Sequence, residues 1–147
     1  MDKTESEIIH SIKENMYFQT TYFSSYSPKI NITSKDVIIK QTDIDDDTFN
    51  VVLNVNFTNK NADLRIEEIK ELYKKKNLPF SWWVGPGDTP SNLKKLLLSH
   101  GFIPKENNYG MYLDLDNFTP KKPYNLKIRR VCNLSELKEF DNAHVLS

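Results

Sequence analysis

The chain has one cysteine, Cys132, in 147 residues. An internal disulfide is therefore excluded, and a reducing, cytoplasmic setting is the expectation. A catalytic thiol is the sharper reading of Cys132, but a half-buried spectator suits a lone cysteine better. Long apolar runs are missing, so no membrane span is expected. The acidic, polar start of the chain is unlike a signal peptide. Net charge is missing too: 20 lysines and arginines offset 20 aspartates and glutamates. No global field then draws the chain to nucleic acid or to an anionic membrane, and neither is expected as a partner. There is no Walker loop, no cysteine–histidine set at metal-ligand spacing, and no serine–histidine–aspartate order in local context. No metal site and no standard hydrolase or nucleotidase site is expected.

What is present suits a packed core: 27% charged and 12% aromatic residues, in a length typical of one domain. The most informative stretch is Pro79–Leu115. Phe80, Trp82 and Val84 alternate with Ser81 and Trp83, which predicts a strand. Gly85-Pro86-Gly87 ends it. Asp88 or Thr89 is a suitable N-cap, and Pro90 fits the first turn of a helix. Leu93, Leu96 and Leu97 form one apolar stripe, and Gly101 stands where a helix C′ residue belongs. Tyr109, Met111, Leu113 and Leu115 share a face of a second predicted strand. Phe80, Trp82, Leu93, Leu96, Leu97, Met111 and Leu113 are the expected core of this stretch.

Upstream, Asp2 to about Ser24 reads as a helix, with Ile8, Ile12 and Met16 four apart and Thr4 and Glu7 at capping-box spacing. His10 lies within it with no evident partner, as a surface histidine would. The aromatic run Tyr17, Phe18, Tyr22, Phe23, Tyr26 fits helix-end packing better than a ligand slot. After a break at Ser27-Pro28, Asp36–Thr42 reads as a short strand. Asp43, Asp45, Asp46 and Asp47 follow; lacking the spacing and glycine of an EF-hand, they read as a solvated turn. Phe49–Phe57 is the clearest strand. Phe49, Val51, Leu53, Val55 and Phe57 face one way, and Asn50, Val52, Asn54 and Asn56 face the other, nearer solvent or a cleft. A strand of this length should be central in its sheet. Ala62–Lys76 reads as the helix that follows it, with Ile66, Ile69 and Tyr73, joined by Leu72, as its core stripe. Lys74-Lys75-Lys76 complement its C-terminal dipole.

The order of elements in Pro79–Leu115 resembles the C-terminal half of the GCN5-related N-acetyltransferase (GNAT) fold. The matching residues are Trp82–Val84, Asn92–Leu97, Gly101-Phe102 and Met111–Leu115. The fuller string is similar to the N-terminal half of two-domain bacterial GNAT proteins. The resemblance implies an α+β fold, a GNAT-like mixed, mostly antiparallel sheet of about five or six strands flanked by helices, with Phe49–Phe57 between Asp36–Thr42 and the 80–84 strand and helix 62–76 crossing over between the latter two. It also implies acetyl-CoA as the family cofactor. The family binds the pyrophosphate where the central strand meets the next helix, through Arg or Gln followed by glycines, so that backbone N–H groups reach phosphate oxygens. Here that junction is Thr58-Asn59-Lys60-Asn61-Ala62-Asp63. It has no glycine, and Asp63 would repel a pyrophosphate. The family's leaving-group acid is often a tyrosine on the helix before Gly-Phe; Ser91–His100 has none, and His100 reads as a capping or exposed residue. No catalytic residue and no cofactor site is therefore expected in this chain by itself.

The same resemblance divides the chain into a GNAT-like domain at 1–115, a linker at 116–124, and the incomplete start of a second GNAT-like unit at 125–147. In the last, Leu126–Val131 reads as a strand and Ser135 as the cap of a helix containing Leu137, Phe140 and Ala143. The implied role is the non-catalytic N-terminal part of an acetyl-CoA-dependent N-acetyltransferase. Its implied partner is the missing catalytic half, or a second copy through the C-terminal segment. The alternative is a small-molecule or protein-binding module without acetyltransferase chemistry. Its candidate residues are Asn54, Asn56, Trp82 and Trp83, with the two tryptophans on opposite strand faces.

Overall fold

A computed structural model describes residues 3–22, 31–115, 118–119 and 129–145. The chain divides into two compact units, Met1–Tyr112 and Leu113–Ser147. In the first, α1 spans Glu5–Tyr22, β1 Asn31–Ser34, β2 Ile38–Gln41, β3 Val51–Leu53, α2 Ala62–Lys74, β4 Ser81–Trp82 and α3 Leu93–Ser99. In the second, α4 spans Leu134–Val145. Among the described residues no helix is long and apolar enough to cross a membrane.

The class is α+β, with a four-stranded sheet among the described residues, in the order β1-β2-β3-β4. β2 is antiparallel to β1 and β3, while β4 is parallel to β3. Parallel neighbours need a long crossover, and α2 supplies it. The 49–57 segment thus lies between 36–42 and 80–84, as expected, and its amphipathic pattern suits that central place. β1 is not foreseen by that pattern: its residues, Asn-Ile-Thr-Ser, include a single large apolar side chain, too few for a periodic signal.

One sheet face packs on α2. Ala62, Ile66, Ile69 and Tyr73 are buried at spacings of four, three and four, the stripe of an amphipathic helix. They cluster with Val37, Ile39, Val52, Val55, Phe57, Leu93 and Leu97, and Phe80, Trp82, Leu96 and Phe102 pack against the margin. Leu72 lies off the stripe and is partly exposed. Ile38 and Leu53, paired in register, are buried but belong to the other face by alternation.

The long alternation expected over Phe49–Phe57 is broken at Asn54. Val52, Val55 and Phe57 share the α2-side core, yet 52 and 55 differ by an odd number. A regular pleat keeps residues an even number apart on one face. Asn54 takes up the odd residue by adopting φ 55°, a left-handed conformation that asparagine tolerates better than most residues. Ahead of that residue the faces are the reverse of those that the alternation assigns. Phe49 is exposed, and Asn50, placed by the alternation near solvent, is fully buried. Its carboxamide is satisfied there: Oδ1 accepts from Thr42 N at 2.9 Å, and Nδ2 donates to the carbonyls of Ile44 and Asp46 at 2.8 and 3.0 Å. A buried amide with its partners in place fixes the acidic turn against the sheet.

Helix ends follow their sequence chemistry with local corrections. Thr4 and Glu7 form the expected reciprocal cap of α1: Thr4 N donates to Glu7 Oε2 at 2.8 Å and Glu7 N to Thr4 Oγ1 at 3.3 Å. α3 ends on Gly101, at φ 85°, with Phe102 N donating to Leu97 O and Gly101 N to Leu98 O, the two bonds of a Schellman motif. Asn92, rather than Asp88 or Thr89, is the residue that precedes α3. The Asp88 carboxylate instead accepts from Gly85 N at 2.9 Å, and Thr89 joins the sheet through a parallel bridge to Asn56. In α4 the cap is Asn133, whose Oδ1 accepts from Glu136 N at 3.0 Å, and not Ser135. Cys132 is exposed rather than half-buried. The Leu126–Val131 strand falls mostly outside the described residues; 129–132 carry no regular structure.

The strand expected over Tyr109–Leu115 does not form, and 102–114 have no regular secondary structure. Met111 and Leu113 leave the core list at 91% and 59% exposed. Alternation makes a segment competent for a sheet, but a strand also needs an edge to bond to. This segment instead brings Gly110 against Ile12 of α1: a Cβ on Gly110 would sit 3.1 Å from Ile12 Cδ1.

These burial differences give a direct test by urea denaturation. Leu93→Ala should cost about 2–5 kcal/mol, and Met111→Ala less than about 0.5 kcal/mol. Equal losses at the two positions would place the 109–115 segment in the core after all.

Candidate functional site

The junction before α2 is closed by its own side chains. Thr58 N and Thr58 Oγ1 both lie 2.8 Å from Asn61 Oδ1, and Asn61 N donates back to Thr58 Oγ1 at 3.3 Å. Asn61 N and Ala62 N also donate to the Thr58 carbonyl, at 3.2 and 3.1 Å. The reciprocal bonds resemble those of a capping box but close the turn just before α2; Asn61, the residue that precedes the helix, makes no side-chain cap bond to it. The N–H groups of Thr58, Asn61 and Ala62 are thereby engaged. Asn59 and Lys60 are exposed in the turn between. Asp63 adds a negative charge to the first turn, where it complements the helix dipole and opposes an anion.

A separate cleft of about 480 Å³ is lined by α1, the start of β2, the exit of β3 and the 85–88 turn. Lys13 and Tyr17 come from α1, Lys35, Asp36, Val37 and Ile38 from the approach to β2 and its start, Asn54, Val55 and Asn56 from beyond β3, and Gly87 from the turn. Asp36 is doubly bonded by Arg65 of α2, from Nε at 2.9 Å and from a terminal nitrogen at 2.8 Å. Those hydrogen bonds hold the Asp36 carboxyl below the usual carboxylate range, against the opposing effect of burial. The Asp36 carbonyl accepts from Asn56 N at 2.7 Å, so this residue joins α2, β2 and the β3 exit. Lys13 Nζ donates to Pro86 O at 2.8 Å and approaches Asp88 Oδ1 at 3.4 Å, tying α1 to the turn. Thr89 Oγ1 lies 2.9 Å from the Phe57 carbonyl and 3.1 Å from Asn56 Oδ1, with one proton to share between them.

Of the four residues singled out from sequence, Asn54 and Asn56 border this cleft and the tryptophans do not. Trp82 turns to the α2 side, edge-to-face with Phe57 and Phe102 at centroid distances of 6.3 and 5.5 Å. Its buried Nε1 has no acceptor among the described residues. Trp83 lies on the other face, 40% exposed, with Nε1 donating to Ser81 Oγ at 3.2 Å. The strand alternation thus separates the two rings and keeps both from the asparagines. Lys13, Lys35 and Asp36 are the cleft residues that sequence reasoning missed. Lys13 meets Asp88 from 75 positions away, and no local pattern encodes such a pairing.

His100 is neither a free surface histidine nor a simple cap. Its Nε2 lies 2.8 Å from Asp63 Oδ1 and its Nδ1 2.6 Å from Glu67 Oε1, with the side chain 15% exposed. Lys70 Nζ donates to Glu67 Oε1 at 2.8 Å and to the His100 carbonyl at 2.9 Å. The cluster clasps the end of α3 to α2. Both ring nitrogens facing carboxylates favours the imidazolium, which donates twice. The bonds to Asp63 and then Glu67 raise the His100 pKa above its ordinary value, although burial works against them.

No protein-family model, no curated protein and no solved structure matches this chain.

A raised histidine pKa fixes the sign of the pH dependence. The clasp contributes fully below the unfolded value of about 6.5 and is lost as pH rises through the elevated folded value. His100→Gln should therefore cost most stability below about pH 6.5 and progressively less as the pH rises beyond it, with chemical denaturation at each pH as the measurement. A pH-independent loss would assign His100 a packing role only.

Proposed function

We propose that this chain is a GNAT-like domain, the non-catalytic N-terminal part of an acetyl-CoA-dependent N-acetyltransferase. The sheet order supports the reading: an antiparallel meander leads into a central strand, which a helix links to a parallel neighbour. The Schellman end at Gly101-Phe102 supports it on the residues that carry the sequence resemblance. The observation that carries the non-catalytic half of the proposal is the closed junction before α2. Thr58 and Asn61 bond each other there, where the family keeps glycines and open donors.

On this reading the domain packs on a catalytic half that brings its own phosphate loop, in a cytoplasmic setting. A second copy joined through the C-terminal segment is the other partner the reading allows. In that segment Leu134 and Leu137 of α4 are exposed, and a short amphipathic helix gains its stability mainly from packing. The second functional reading, a small-molecule-binding module with no acetyltransferase role, is favoured by the cleft beside α1.

Calorimetric titration of the full chain with acetyl-CoA tests the first reading. Binding no tighter than about 1 mM, near −4 kcal/mol, is expected. Affinity near 1 μM, about −8 kcal/mol, would show that the closed junction opens for a pyrophosphate and would overturn the non-catalytic assignment.

A further inference from the structure

The cleft beside α1 offers hydrogen-bond donors and positive charge with little to balance them. Its one acid, Asp36, is neutralised by two bonds from Arg65. Lys13 is engaged by the Pro86 carbonyl and Asp88. Lys35 is exposed, and among the described residues it pairs with no carboxylate. The Asn54 carboxamide makes no hydrogen bond among the described residues, and the N–H groups of Asn54 and Val55 find no acceptor among them. Asn54 also sits at φ 55°. A non-glycine residue enters that region at some cost, and such positions cluster where ligands are held. A volume of about 480 Å³ falls within the range of small-molecule sites.

We infer that this cleft binds a small molecule bearing an oxyanion, a carboxylate or a phosphate ester. Lys35 is the charge partner, and the carboxamides of Asn54 and Asn56 and the unpaired N–H groups beside them are the neutral donors. Charge-assisted bonds of this kind are stronger than neutral ones, but a single flexible ammonium open to water gives limited affinity. A bare anion should therefore bind at roughly millimolar concentration, with the rest of the molecule adding contacts to Tyr17 and the cleft floor. None of these residues belongs to the first turn of α2. Such binding accordingly neither needs nor excludes acetyl-CoA, and acetyl-CoA calorimetry and anion titration can fail separately.

The test is an amide NMR titration of the full chain with sodium phosphate and, separately, with sodium malonate, at fixed ionic strength so that screening is constant. Saturable shifts confined to Lys35 and residues 54–56 are expected with at least one of the two. Saturation by phosphate alone identifies a phosphate ligand, and by malonate alone a carboxylate. Lys35→Gln should weaken binding about fivefold or more, and Lys94→Gln, on the exposed side of α3, should leave it unchanged. Asn54→Gly separates site from scaffold: glycine accepts the left-handed backbone and should leave the fold intact, yet it should weaken binding. Shifts that grow linearly to about 50 mM, shifts spread over the surface lysines, or equal binding by Lys35→Gln would each overturn the assignment.

Discussion

The fold of the first unit depends on how Tyr73 is seated. Its ring is fully buried and stacks on Phe80 at 4.2 Å, with planes 7° apart. Its hydroxyl donates to the Lys40 carbonyl at 2.7 Å, with the Val51 carbonyl 3.4 Å away. One side chain thus touches β2, β3 and the residue leading into β4. Burial pushes the phenol pKa up, so the hydroxyl stays a donor at any physiological pH. At the opposite end of α2, Arg65 holds Asp36. A helix fixed at both ends presents its remaining faces in defined places, which is why His100 meets Asp63 and Glu67 and why the Thr58–Asn61 turn lies against the β3 exit.

Much of this arrangement was legible because it rests on periodicity. The stripe Ile66, Ile69, Tyr73 and the glycine stop at 101 are both properties of short sequence windows. The failures have physical causes too. Asn50 looked like a solvent-facing residue because polarity alone does not reveal that four partners await a carboxamide in the core. The side change at Asn54 was hidden because a single left-handed residue leaves no mark on composition, while it puts residues 49–53 on the opposite faces from those that an unbroken alternation through Val55 and Phe57 assigns. The 109–115 segment alternates as a strand does, but pairing is a contract between two segments and only one is visible in a window. The cleft was half legible: the asparagines stood out, whereas Lys35 and the Asp36–Arg65 pair became meaningful only once distant segments met.

Two helices begin with a similar device: Thr4 with Glu7, and Asn133 with Glu136, each satisfy a backbone donor at the start of a helix. Thr58 and Asn61 use the same kind of bonds to close the turn just before α2, which makes that turn a structural joint. Among the described residues, donors without partners gather where β3 kinks, and there they come from carboxamides, an ammonium and two backbone N–H groups. Structural and binding roles are in this way assigned to different residues on the two sides of one short segment, 54–61.

The turn between β4 and Thr89 has one further property. Its chain is pinned on both sides by the same neighbour: Trp83 N bonds Val52 O before it, and Thr89 N and Phe57 N complete the bridge after it. A loop whose ends are already held together tolerates growth, since each doubling of its length adds only about 0.6 kcal/mol of closure entropy. Gly87, at its tip, forms part of the cleft wall. Insertions at this point would redraw the mouth of the cleft while leaving the sheet register untouched, which makes the 85–88 turn the place where a change of ligand could evolve without a change of fold.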